Sequence, residues 1–285
     1  MIRNILFSAM LLLALWGTAR LAHHKTDGLR LSKFVNNTPN HLLNFEEGSL
    51  EEILPLLGQN FTYFGRGLQS FSFLGDDGET VLKLFNNRYQ RRISFAHWLP
   101  GIYPFKARKR ALLRKSEFKL NRTFNSYLLA FEQMREETGL LFLHPQRGEG
   151  LPTITLIDKL KISHPFDLNK HAFALQKRAD QVYPYLLKLK EEGELTKAQD
   201  AVKSLVELLR SKMEAGIGDN DPLIRTNLGF DKGRPMQIDI GPLYLNEALK
   251  NPNEQLSELK KITLSMKHWL EAHFPELVET LDEAI

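Results

Sequence analysis

The stretch from Phe61 to Phe85 constrains this fold more than any other, because it holds three β-type runs separated by two turns. Phe61-Thr62-Tyr63-Phe64 is aromatic and β-prone. Phe71-Ser72-Phe73-Leu74 alternates apolar and polar side chains, and Thr80 to Phe85 alternates again. Gly65 and Gly67 fall in the first turn, and Asp76-Asp77-Gly78 is a hairpin signal for the second. The pattern predicts an antiparallel meander with Lys83 on its third strand.

From Lys109 to Glu137 the spacing turns helical. Leu113, Leu120, Phe124, Leu128 and Phe131 recur at three- and four-residue steps and mark one apolar face. Thr138-Gly139 stops that helix. Leu140 to Leu143 and Thr153 to Ile157 then read as two more strands. The segment 86–110, between the third strand and the helix, reads as an inserted loop. Its Trp98-Leu99-Pro100-Gly101-Ile102-Tyr103-Pro104 is either a partner- or membrane-contacting element or simple packing. After Leu160 the chain reads as almost wholly helical, with helices expected near 168–191, 195–215 and 253–284. A β-rich front and an α-rich back make the class α+β, in two lobes at 58–160 and 161–285.

The N-terminal residues 1–22 carry Arg3, an apolar run from Ile5 to Leu15 extended by Trp16, and the small residues Gly17-Thr18-Ala19. This is the pattern of a signal peptide, or of an uncleaved anchor associating with a membrane through residues 5–19. The run is short for a span, which needs about 20 apolar residues. Either outcome places the protein at a membrane or beyond it. If the segment is uncleaved, Arg20, Lys25 and Arg30 favour a cytoplasmic domain. Residues 23–57 read as a polar linker, with a short helix over Glu46 to Leu57.

Composition removes several classes. The chain is 42% hydrophobic and 25% charged, which is a globular balance. A net charge of +4 gives no case for nucleic acid. Without cysteine there is no disulfide, no thiolate nucleophile and no Cys-based zinc site. The histidines show no His-Glu-x-x-His spacing, and no Gly-x-Ser-x-Gly elbow occurs. The basic run from Lys106 to Arg122 reads as a solvated helix face, with lipid headgroups or phosphates as the alternative partner.

Chemistry concentrates near the end. Gly218-Asp219-Asn220-Asp221-Pro222 precedes Asn227, and Ile238-Asp239-Ile240-Gly241 follows. A glycine turn, a strand lysine, an Asp/Asn loop and then Asp-x-Gly stand in the order of the phosphotransfer parts of kinases. Over roughly residues 58–250 the chain resembles a divergent, reduced member of the protein-kinase-like superfamily.

The resemblance implies a two-lobe fold, with a five-stranded antiparallel sheet and one long helix in the first lobe and a mostly helical second. It implies ATP and Mg²⁺ as cofactors. Gly65 and Gly67, with Ser70 in the third glycine's place, match the loop over the phosphates. Lys83 matches the lysine that pairs with them. Its acidic partner would be Glu117, on the apolar face of the long helix, with Glu132 as the alternative. Asp219 or Asp221 would orient the nucleophile, and Asn227 and Asp239 would hold the metal. Asn227 sits at neither expected distance from the two aspartates, and no Ala-Pro-Glu follows. The resemblance therefore implies either a phosphotransferase of unspecified acceptor or an inactive pseudokinase serving as a binding or scaffold module.

Overall fold

The alternation from Phe61 to Phe85 becomes three consecutive strands in the computed structural model, which describes residues 2–34, 48–145 and 148–285. Helices α1 (Ile2–Lys25) and α2 (Leu50–Leu57) precede β1 (Asn60–Arg66), β2 (Ser70–Gly75) and β3 (Thr80–Phe85). Next come α3 (Arg88–Trp98), α4 (Phe105–Gln133), α5 (Arg135–Thr138), β4 (Leu140–His144), β5 (Thr153–Ile157) and β6 (Ser163–Asp167). Strands β7 (Phe173–Lys177) and β8 (Asp180–Gln181) lead to α6 (Val182–Glu191) and α7 (Leu195–Glu214). The chain closes with β9 (Ile217–Asp219), α8 (Ile224–Asn227), β10 (Leu228–Asp231), β11 (Arg234–Gln237), β12 (Leu243–Leu245), α9 (Pro252–His273) and α10 (Val278–Ala284). The class is α+β, with ten α-helices among the described residues.

The sheet corrects the expectation of five antiparallel strands. Seven strands form one mixed sheet in the order β4-β7-β3-β2-β1-β5-β6. β1 pairs with β5 in parallel, Asn60 opposite Thr155 and Thr62 opposite Ile157. Two strands lay outside the sequence reading for physical reasons. β6 is an edge strand containing Pro165, which breaks a strand pattern and is tolerated only where no inner partner needs its N–H. β7 is built from Phe173-Ala174-Leu175-Gln176-Lys177, mostly helix formers, in a segment expected to be helical. Its buried inner position overrides that local preference. The part after Leu160 is accordingly not wholly helical.

The chain divides into two compact units, Met1–Arg91 with His144–Phe173 and Arg92–Leu143 with Ala174–Ile285. They interleave along the chain, where the sequence suggested one boundary at 160. In the first unit Phe34 packs edge-on against Phe71, Phe73 and Phe166, with ring centroids 5.9, 6.4 and 5.4 Å away. Phe61, Leu82 and Leu84 complete this core. In the second unit α6, α7, α9 and α10 bury Leu186, Val202, Leu205, Met266, Leu270 and Leu281 together. The α7 stripe of Ala198, Ala201, Val202, Leu205, Val206 and Leu209 follows helical spacing, which is why this helix was legible.

Two further expectations change. The N-terminal segment was expected to anchor or export the chain, yet among the described residues no helix is long and apolar enough to cross a membrane. Its apolar run ends at Trp16, and Arg20, His23, His24 and Lys25 fill the last turns of α1. The 86–110 insertion is not a loop; α3 and the start of α4 occupy most of it. The linker residues Asn36, Asn37, Thr38, Pro39 and Asn40, and the Glu46 start of the short helix, lie outside the described residues. Of that helix, α2 is present.

Candidate functional site

Two short strand pairs in the second unit build the candidate site. β9 pairs antiparallel with β12, which sets Asp219 opposite Leu243. β10 and β11 form a hairpin with Leu228 opposite Gln237. Its turn residues Lys232 and Gly233 both have positive φ, 49° and 88°, the turn whose twist matches a two-stranded ribbon. This register carries Asn227, just before β10, beside Ile238-Asp239, just after β11. The Asn227 carbonyl accepts from the amides of Ile238 at 2.7 Å and Asp239 at 3.2 Å.

Asp219 is held from three sides. Its side chain is 4% exposed and lies 3.6 Å from the Nζ of Lys212, itself 5% exposed. Its Oδ2 accepts from Gln237 Nε2 at 3.0 Å, and its Oδ1 accepts from the Asp221 amide at 2.9 Å. Lys212 also donates to Gln237 Oε1 at 3.2 Å. Burial pushes the Lys212 ammonium below the usual lysine pKa, while the charge and hydrogen bond of Asp219 pull it back up. Gln237 Nε2 reaches the Asp239 carbonyl as well, at 3.2 Å, so one amide ties both acidic segments together. A Cβ on Gly241 would lie only 3.1 Å from Asp219 Oδ1, so the Asp-x-Gly segment closes over Asp219 because its last residue has no side chain.

Asn227 is buried. Its Nδ2 donates to the Asp221 carbonyl at 2.7 Å and its Oδ1 accepts from the Thr226 hydroxyl at 2.8 Å. The Asp239 carboxylate makes no hydrogen bond or ion pair among the described residues. Together they offer one carboxylate and one amide oxygen, a hard donor set that fits Mg²⁺. No group of three or more His, Asp or Glu side chains gathers among the described residues, so further oxygens would come from ligand and water. Asp221 is exposed.

The remaining candidates divide between the units. In the first, Gly65 lies opposite Ser72 just past a register shift in β1, and the Gly67 amide donates to the Ser70 carbonyl at 2.9 Å. Neither glycine is forced by packing: a Cβ at Gly65 would meet nothing within 4 Å, and at Gly67 only the Ser70 carbonyl at 3.6 Å. Ser70 is buried on β2 opposite Phe85. Lys83 is also buried, on β3 opposite Ser72, and every residue of that strand is buried. In the second unit, Glu117 is exposed rather than on the apolar face of α4. That face runs through Ser116, Leu120, Thr123, Phe124 and Tyr127, one residue out of phase with Glu117; Glu132 is exposed too.

Lys212 and Gln237 were missed by sequence reasoning. Lys212 did leave a signal, since it continues the buried spacing of Leu205 and Leu209 on α7. Gln237 left none, because its role depends on the hairpin register.

No known family profile and no curated protein matches the chain. Among solved structures it is similar to the Rv3197–erythromycin complex from Mycobacterium tuberculosis, with 14% identity and a TM-score of 0.37. The match covers 93% of this chain and 63% of that one, and at this level it carries no argument about fold or activity.

Proposed function

We propose that this protein is an ATP- and Mg²⁺-dependent phosphotransferase of the kinase-like superfamily. The observation that carries the reading is the joint between Asn227 and Asp239, where one carbonyl accepts two successive amides and so joins the backbones of the two candidate residues. Both ligands are oxygen donors, and the carboxylate is unpartnered among the described residues. Mg²⁺ there would neutralise charge on the transferred phosphoryl group. Asn227 and Asp239 would hold the ion, and Asp221, exposed and with its carbonyl accepting from Asn227 Nδ2, orients the acceptor hydroxyl. Gly65, Gly67, Ser70 and Lys83 are the phosphate-binding candidates of the first unit.

A specific observation favours a second reading, that of an inactive binding or scaffold module. The Asp219 carboxylate is committed to Lys212, Gln237 and the Asp221 amide, so it serves the loop rather than a substrate. Two measurements separate the readings. Thermal shift with ATP, with and without Mg²⁺, detects nucleotide binding. Single-turnover ATP consumption by wild type and Asp239→Ala detects transfer, with loss in the variant expected. Equal rates in the two proteins would remove the enzyme reading.

A further inference from the structure

The corner between α3 and α4, in the second unit, combines two surface properties that the candidate site does not use. The first is apolar. Trp98 is 80% exposed, Ile102 71% and Tyr103 92%, and Phe95 is exposed with its ring stacked on Trp98 at 6.3 Å. The second is charge. No acidic residue occurs from Arg92 through Ser116, while Lys106, Arg108, Lys109, Arg110, Arg114 and Lys115 crowd the start of α4.

The corner is held from within. Ala96 and Leu99 are buried beneath it. Lys109 Nζ donates to the carbonyls of Leu99 at 3.0 Å and His97 at 3.3 Å, which closes the C-terminal end of α3. The amides of Phe105 and Lys106 both donate to the Ile102 carbonyl at 2.9 Å and start α4. The backbone is thus fixed while its largest apolar side chains stay in water, an arrangement that marks an interaction surface.

We propose that this corner docks on the surface of an anionic phospholipid bilayer. Trp98 and Tyr103 are the residue types that settle at headgroup depth, and Ile102 and Phe95 supply aliphatic and aromatic area to the acyl boundary. Lys106, Arg110 and Arg114, at four-residue steps on adjoining positions of α4, supply cations for the phosphates. A nucleic acid would engage the same cations but offers the aliphatic Ile102 nothing in which to be buried. This is adsorption at an interface by residues remote in sequence from α1, and no membrane span is involved.

The test is co-sedimentation of the full chain with vesicles of phosphatidylcholine alone and of an equal mixture with phosphatidylserine. Binding to the mixed vesicles and little to the neutral ones is expected. Lys106→Glu/Arg110→Glu/Arg114→Glu should weaken it at least about a hundredfold, from a few-fold per basic residue near the surface. Trp98→Ala/Ile102→Ser should weaken it about tenfold or more while leaving the circular dichroism melt unchanged. Trp98→Phe retains the apolar contact, so it should bind but lose the blue shift of tryptophan emission. Equal sedimentation with both vesicle types would overturn the proposal. So would unchanged binding by Trp98→Ala/Ile102→Ser, which would assign any adsorption to another part of the chain. Charge-dependent binding to RNA with none to the mixed vesicles would overturn it in favour of a nucleic-acid surface.

Discussion

Lys212 and Asp219 form a buried ion pair, Nζ to Oδ2 at 3.6 Å, with Gln237 hydrogen-bonded to both. A charge left alone in such a place is costly, so the pair should be strongly non-additive. Lys212→Met is expected to destabilise by about 3–5 kcal/mol, since it strands the carboxylate. Adding Asp219→Leu should recover part of that loss, as the double change removes both charges. Urea denaturation of the two single variants and the double variant measures the coupling. A double variant as unstable as the sum of the singles would show that the two charges do not depend on one another.

Asp221 and Asp219 should separate by phenotype. Asp221 is exposed, and its substitution by Asn is expected to change stability by less than about 0.5 kcal/mol. If the proposed activity holds, the same variant should lose about a hundredfold or more in turnover. Asp219→Asn should instead lower the melting temperature. Turnover and melting measured on the same preparations give both answers, and an active Asp221→Asn enzyme would return the orienting role to Asp219.

Gly229 on β10 sits where a side chain has no room. A Cβ there would lie 2.4 Å from the Asp180 carbonyl oxygen and 2.5 Å from Ile238 Cδ1. Backbone cannot swing aside as a side chain can, so Gly229→Ala is expected to cost about 1–3 kcal/mol. It should also weaken any Mg²⁺-dependent nucleotide binding, because the displaced strand leads directly from Asn227 into the hairpin. A melting temperature equal to wild type would contradict so close an approach of the two strands.

The Asp77 turn predicts an acid response. Burial acts to raise this carboxyl. Hydrogen bonds from Gln59, the Thr80 hydroxyl and the amides of Thr80 and Glu79 outweigh it and hold the group down at about 2. The folded pKa is therefore below the unfolded one. The stabilisation is complete above the ordinary value of 3.8 and is lost as pH falls through about 2. Asp77→Ala should flatten the stability profile between those pH values and leave the neighbouring β2–β3 pairing intact. Denaturation midpoints measured across that window would show no difference from wild type if the carboxyl contributed nothing.

Local pattern carried much of this fold into the sequence. Strands β1 to β5 were legible because each alternates or runs apolar between turn residues, and α7 because its stripe repeats at helical spacing. What stayed hidden was set by position in the sheet. β7 needs its neighbours to overrule Ala174, Leu175 and Gln176 as helix formers. In the site, Asp219, Asn227, Asp239 and Gly241 were readable as short motifs, and Lys83 as a lysine among apolar residues. Glu117 was misplaced because Leu113 is only half-buried, so the true apolar face of α4 begins at Ser116. The bonds that join these motifs depend on strand register, which no short window of sequence encodes.

The parallel pairing of β1 with β5 has a consequence for the order of assembly during synthesis. β1, β2 and β3 are contiguous and can associate as soon as they leave the ribosome. The other edge of β1 stays open until Thr155, Leu156 and Ile157 have been made, because these are its partners. Throughout that interval the nascent three-stranded meander waits with the outer edge of β1 unpaired while α3, α4 and β4 are translated, and the outer edge of β3 waits longer still, for β7. The first unit is therefore the last part of the front half to close, although its strands are among the first to appear.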